Sequence, residues 1–255
     1  MKEDKSATAP IEGFTFIEKN AQGYAEYRHE KTGIVFVRLP GGTFSMGGNK
    51  SEGPKVSHKD EHPRHEVPLD PFLIGKHEVS QGEWKRIMET NPSHFKGDDQ
   101  RPVESVSWDE CQGFCKRAQL SLPTEAQWEY ACRAGTTTAF SFGDKVTTLQ
   151  VNYEGSRQGT VPVDSLSPNG FGLHNMHGNV WEWCQDIYDL GFYDKPESKT
   201  KNPLCNSGSD YRVKRGGGWL YYSVYCRSAN RDGGRPETSG YHIGFRATFA
   251  GLVQK

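Results

Sequence analysis

Residues 169–183 read NGFGLHNMHGNVWEW, and the fold turns on how this stretch is interpreted. Gly170, Gly172 and Gly178 alternate with Asn169, Asn175 and Asn179 between large apolar residues. Glycine and asparagine permit sharp, left-handed backbone, while Phe171, Leu173, Trp181 and Trp183 pin it to a core. Such a segment presents several carbonyl oxygens around one point.

Outward from it, regular structure is sparse. The chain of 255 residues carries 29 glycines and 14 prolines, so intervals between chain breaks are short. Strand patterns occur at Ile34–Leu39, closed by Pro40-Gly41-Gly42, at Thr43–Met46, and at Phe72–Val79; the first two read as a hairpin. A helix begins after Ser80, where Ser80 and Glu83 form a capping box and Trp84, Ile87 and Met88 share a face before Asn91-Pro92. A second spans Ser107–Ala118, with Trp108, Cys111, Phe114 and Cys115 at three- and four-residue intervals. A third starts at Thr124, with Gln127 in the box position and Trp128, Tyr130 and Ala131 facing inward. Beyond Gly135 the pattern is loops, turns and short strands. Long irregular segments inside a compact domain point to a binding site or to loops held by metal ions.

Composition narrows the classes. Thirty-one basic residues against 32 acidic ones favour neither nucleic acid nor an anionic membrane as partner. No apolar run reaches the roughly 18 residues of a membrane helix, and MKEDKSATAP lacks the apolar core of a signal peptide. The chain therefore reads as soluble, cytoplasmic as it stands, or exported had a leader been removed. The six cysteines (111, 115, 132, 184, 205 and 226) include no CxxC pair, which speaks against structural zinc while leaving disulfides open. One domain over 31–250, preceded by an extension at 1–30, is the simplest division.

Several motifs occur in a fixed order: PGGTFSMG at 40–47, LPTEAQWEYA at 122–131, the opening stretch, RGGGW at 215–219, Arg227-Ser228-Ala229, and IGFR at 243–246. Together they resemble the sulfatase-modifying-factor (formylglycine-generating enzyme) family over residues 34–249. The resemblance implies an α+β, C-type-lectin-like fold of low regular content, with short antiparallel strands, a few helices and long ordered loops. It also implies structural calcium, held by the Asn175 side chain, the carbonyls of Gly178 and Val180, and Glu182; these are the hard oxygens that Ca²⁺ selects. A second, upstream calcium site would use Asn152 and Tyr153. Its following segment, before Gln158-Gly159-Thr160, is shortened and lacks the expected aspartate, for which Glu154 is the available substitute.

The family's oxidase chemistry requires copper(I) on two cysteines with four residues between them, because two soft thiolates bind Cu(I) and leave room for a substrate thiolate. Spacing from Arg227-Ser228 puts that pair at Trp219 and Val224, or, with Cys226 taken as the second member, at Tyr221 and Cys226. At most one ligand remains, so a competent formylglycine-generating oxidase is not expected. Cys226 is then the catalytic candidate only for an altered copper- and O2-dependent oxidoreductase, and otherwise a buried or disulfide-bonded residue. Cys184 and Cys205 are the thiols that could approach it.

What the stretch GGGWLYYSVYCRSANR (216–231) then offers is a surface. Trp219, Leu220, Tyr221, Tyr222, Tyr225, Asp232, Arg235, Tyr241 and His242 form the candidate ligand-binding set, since tyrosine gives large contact area at low entropy cost. Its partner would be a protein or a small ligand. Variable proteins of diversity-generating retroelements resemble this layout, and adenine mutagenesis there cannot yield Lys, Glu, Gln, Met or Trp. From Leu220 to Ile243 only Glu237 belongs to that excluded set. The pairs His62/His65 and His174/His177 have a chelating spacing only if helical, and no helix is expected at either place.

Overall fold

The computed structural model describes residues 9–48 and 58–251. Three sheets and three helices alternate with loops. A five-stranded antiparallel sheet has the order β1 (Phe14–Lys19), β2 (Ala25–His29), β3 (Val35–Leu39), β6 (Phe72–Gly75) and β11 (Thr248–Phe249). β4 (Gly42–Met46) pairs only with β5 (His65–Leu69). The third sheet runs β10 (Ile243–Gly244), β7 (Trp181–Ile187), β8 (Arg212–Arg215) and β9 (Arg231–Gly234), antiparallel except for the β10–β7 pair.

The expected hairpin between β3 and β4 does not form. Gly41 and Gly42 hold φ of +69° and +110°, and Gly41 lies so close to the carbonyls of Leu69 and Asp70 that any Cβ would clash. The turn therefore sends β4 to a separate sheet, and β3 pairs with β2 and β6 instead. The strand expected at Phe72–Val79 stops at Gly75. Val79 N–H then bonds Phe245 O (2.9 Å) outside any ladder. Of the residues before 31, those at 14–29 contribute two strands to the large sheet, and residues 1–8 lie outside the described part.

The helices start where their caps stand. α1 (Gln81–Met88), α2 (Trp108–Ala118) and α3 (Glu125–Arg133) begin after Ser80, Ser107 and Thr124, and each cap forms both bonds of a capping box. The box of α2, closed by Glu110, adds to what its apolar periodicity indicated. All three end on a left-handed residue: Glu89, Gln119 and Ala134. After residue 135 the described chain contains only short 3-10 turns besides strands.

Two large apolar clusters fill the interior. One joins Phe36, Trp84, Phe114, Trp181, Trp183 and Phe245; the other joins Leu39, Phe72, Trp128, Leu173, Cys184 and Val213. Between them run fully buried arginines paired with carboxylates. Arg246 donates to both oxygens of Glu182 (2.6 and 2.7 Å), and Arg231 to both of Glu125 (2.7 and 2.7 Å). Arg227 grips Glu61 in the same way (2.9 and 2.6 Å), while Arg215 and Arg133 share Glu129. Bidentate pairs of this kind satisfy charge and geometry together, which is the condition for keeping ions out of water.

Candidate functional site

The 169–183 loop packs as its composition indicates. Asn169 donates to the carbonyls of Ala131 and Cys132 and accepts from Phe171 N and Leu173 N, closing a tight turn against α3. Asn175, Gly178 and Asn179 are left-handed, with φ of 53°, 78° and 62°. At Gly178 a Cβ would lie 2.3 Å from Asn152 O, so only glycine lets the two loops meet.

Where they meet, a buried polar cluster forms. Asn175 Nδ2 and Asn179 Nδ2 donate to the two oxygens of Glu78, at 3.1 and 2.8 Å. Asn179 Oδ1 accepts from Asn152 Nδ2 (3.1 Å) and Val161 N (2.9 Å), linking the upstream loop to the same point. Burial pushes the Glu78 carboxyl up to about 8, with Arg246 opposing and the Glu182 charge reinforcing the shift. Asn175 Oδ1 and Asn152 Oδ1 are buried acceptors with no partner. Glu182 is differently placed, since Arg246 and Trp128 Nε1 (2.7 Å) occupy both its oxygens. The two orphaned amide oxygens are hard donors of the class Ca²⁺ selects, with Glu78 already accepting from both asparagines, Gly178 and Val180 in the adjoining chain, and Glu182 engaged elsewhere. Glu78 lies far from these loops in sequence, and only its burial without a directly bound cationic side chain marks it.

Cys226 ends a 3-10 turn over Ser223–Cys226 and is fully buried beside Ala139, Phe140 and Val151. Burial drives its thiol far above the ordinary range, with the neighbouring Cys132 adding to the shift. Cys184 and Cys205 pack in another cluster, and the thiol that comes near Cys226 is that of Cys132. All six cysteines are free and buried. Among the described residues no three His, Cys, Asp or Glu side chains are arranged to hold a metal ion. Of the paired histidines, His65, His174 and His177 each hydrogen-bond a backbone carbonyl through a ring nitrogen: those of Pro63, Leu166 and Cys226.

The aromatic residues ahead of Cys226 make a continuous surface. Trp219 donates through Nε1 to Tyr241 O (3.2 Å), and its ring meets Phe95 (5.5 Å) and Tyr241 (5.9 Å). Tyr221 rests on Trp181 (5.6 Å), and its hydroxyl meets His242 Nε2 at 3.1 Å; Tyr225 packs against Tyr221 (5.9 Å). Tyr222 is 68% exposed, Tyr241 45% and Leu220 36%, while Trp219, Tyr221, Tyr225, Asp232 and His242 are half-buried. The upstream loop holds this surface from behind, Glu154 N bonding Tyr221 O (2.9 Å) and Gly155 N bonding Trp219 O (2.7 Å). Tyr153 turns its hydroxyl to Val146 O (3.4 Å). His94 and Phe95, which no local pattern singled out, join the cluster through Tyr241. Arg235 stands outside the ring cluster, over Tyr211.

A family model described as "Sulfatase-modifying factor enzyme 1-like domain" matches residues 21–250. The chain belongs to the sulfatase-modifying factor family. It is 31% identical over 279 residues to the formylglycine-generating enzyme of Streptomyces coelicolor, spanning 82% of this chain and 87% of that one. To the formylglycine-generating enzyme of Mus musculus it is 29% identical over 298 residues, spanning 90% and 78%. Among solved structures, PvdO from Pseudomonas aeruginosa superposes with a TM-score of 0.75 at 26% identity, covering 94% of this chain and 99% of that one. Treponema denticola variable protein 1 superposes at 0.74 with 23% identity and the same coverage, a likeness of fold. Positions 219, 221 and 224, where cysteine was expected from the resemblance, hold Trp, Tyr and Val.

Proposed function

We propose that the chain is a binding module of the sulfatase-modifying factor family, taking a protein or small-molecule ligand on the aromatic surface between Trp219 and His242. The observation that carries this reading is the exchange at one place in the fold. Cys226, with Cys132 near it, is sealed in the core, and the residues in front of it expose rings. A Cu(I) site needs two accessible thiolates; an adaptable contact surface needs rigidly backed aromatic side chains with polar tips. Calcium would serve as a structural ion, held by Glu78, Asn175 Oδ1 and Asn152 Oδ1 with carbonyls of the same loops.

Titration with Cu(I) under reducing conditions, followed by a cysteine-containing peptide and O2, tests the reading. Neither stoichiometric copper nor oxidised peptide is expected. Stoichiometric Cu(I) binding with peptide oxidation would instead establish an oxidoreductase with an altered site. Whether residues 220–243 are genetically diversified is read from the genome, where a neighbouring reverse transcriptase and template repeat are required.

A further inference from the structure

Both backbone hydrogen bonds of Trp219 end on the two loops that meet at the buried polar cluster. Its N–H donates to Asn179 O (2.8 Å), and its carbonyl accepts from Gly155 N (2.7 Å). Two residues on, Tyr221 O accepts from Glu154 N (2.9 Å). Asn179 lies in the 169–183 loop, while Glu154 and Gly155 follow Asn152 in the upstream one. Between the loops the backbone makes one isolated bridge, Asn152 with Gly178, in which Asn179 N donates to Asn152 O (2.9 Å). Trp219 and Tyr221 are therefore suspended from segments that have no ladder of their own.

Asn179 faces both the cluster and the surface. Its fully buried amide is saturated on the cluster side: Nδ2 donates to Glu78 (2.8 Å) and Val161 O (3.3 Å), and Oδ1 accepts from Asn152 Nδ2 (3.1 Å) and Val161 N (2.9 Å). The carbonyl of the same residue holds Trp219. With every side-chain bond made, a displacement of Glu78 or Asn152 is passed on to that carbonyl. What keeps Glu78 and Asn152 in place depends in turn on the two unpartnered oxygens, Asn175 Oδ1 and Asn152 Oδ1. Buried acceptors without a donor favour opening toward water, and a hard cation that takes them favours the closed arrangement.

We infer that Asn179 couples this cluster to the ligand surface, so that calcium taken up by the oxygens of Glu78, Asn152 and Asn175 fixes the backbone of Trp219 and Tyr221 where their rings are presented. The inference rests on the structural-ion reading above. Fluorine NMR of the full chain labelled with fluorotryptophan tests it, with the Trp219 resonance assigned by Trp219→Phe, together with amide exchange at Glu154, Gly155 and Trp219. Both are measured in calcium and in EDTA, beside a calorimetric calcium titration. Calcium is expected to move the Trp219 resonance, to leave those of Trp84 and Trp108 in place, and to slow exchange of the three amides about tenfold. Asn179→Gly keeps the carbonyl and accepts the left-handed backbone while removing the side-chain tie. Calcium should still bind this variant, and Trp219 and the three amides should no longer respond. Calcium binding to the parent with no change at Trp219 or the amides overturns the coupling and leaves the structural ion standing, whereas absence of calcium binding overturns both. A Trp219 response undiminished in Asn179→Gly overturns the role of Asn179, and if that variant does not fold the measurements on the parent still decide the coupling.

Discussion

Replacing Arg246 by methionine probes what keeps the loops in order. Arg246 gives two N–H groups to Glu182, at 2.6 and 2.7 Å, and two more to the carbonyls of Gly75 (3.0 Å) and His174 (2.9 Å), all of it buried. Methionine fills much of the volume but leaves Glu182 with a single donor, Trp128 Nε1. Breaking a buried ion pair from one side costs about 3–5 kcal/mol. Two stranded carbonyls add about 1 kcal/mol each or more. The sum approaches the total stability of an ordinary domain, about 5–15 kcal/mol. Glu182→Gln keeps an acceptor for Trp128 and leaves Arg246 its two carbonyl bonds, so its loss should be nearer 3 kcal/mol. The double variant has no unpaired charge and should be less harmed than the two losses added, by about 2 kcal/mol or more. Urea unfolding of all four proteins in EDTA reads this directly, and the double variant still reports if Arg246→Met alone fails to fold. Additivity within about 0.5 kcal/mol, or a loss below about 1 kcal/mol for Arg246→Met, would refute the claim that the pair holds β7, β10 and the 169–183 loop together.

Calcium added to EDTA-treated protein should raise the melting temperature, with about 2.7 kcal/mol of stabilisation at a hundredfold excess over Kd; Asn175→Ala should remove most of it, and a melting temperature indifferent to calcium in the parent would end the structural-ion reading. Gly217→Ala should cost about 2 kcal/mol or more, since φ is +72° and the new Cβ would lie 2.6 Å from Cys226 Sγ; adding Cys226→Ala should restore only the part due to the clash, measured by chemical denaturation. His177 bonds Cys226 O through Nδ1 and takes Ser141 N–H on Nε2, and burial lowers it to about 4 from an ordinary 6.5. Its folded-state value is depressed, so the stability it supports is present above pH 6.5 and lost as pH falls toward 4, at up to about 1.4 kcal/mol per pH unit. His177→Gln should flatten that slope, and an unchanged pH profile of unfolding would contradict it.

What could be seen in the sequence was what acts locally. The capping boxes at Ser80 and Thr124 each lie within one turn, and all their bonds formed at the positions indicated. The β3–β4 hairpin does not form, and two glycines between two strands are compatible with pairing and equally with departure; the crowding of Gly41 by Leu69 and Asp70, which decides the matter, is a contact with residues distant in sequence. Glu78 and Phe95 escaped notice for the same reason. Each lies in an ordinary local setting and acquires its role from Asn175 or Trp219, across the fold.

The arginines make the same distinction in energetic terms. RGGGW and IGFR are visible as patterns, yet nothing local says that Arg227 reaches Glu61 across 166 positions, or Arg231 Glu125 across 106. Those pairs supply what the irregular segments lack in ladder hydrogen bonds, because each bidentate grip ties together two segments distant in sequence. One consequence concerns the aromatic surface. Its backbone is held by Arg227, by the tight approach at Gly217, and by Glu154 N and Gly155 N, none of which uses the side chains of Leu220 or Tyr222. Exposed residues that do not support their own backbone can be exchanged at little cost in stability, typically within about 0.5 kcal/mol. A surface so built can change what it binds without changing the fold that presents it, which an active site dependent on two buried-backed thiolates could not do.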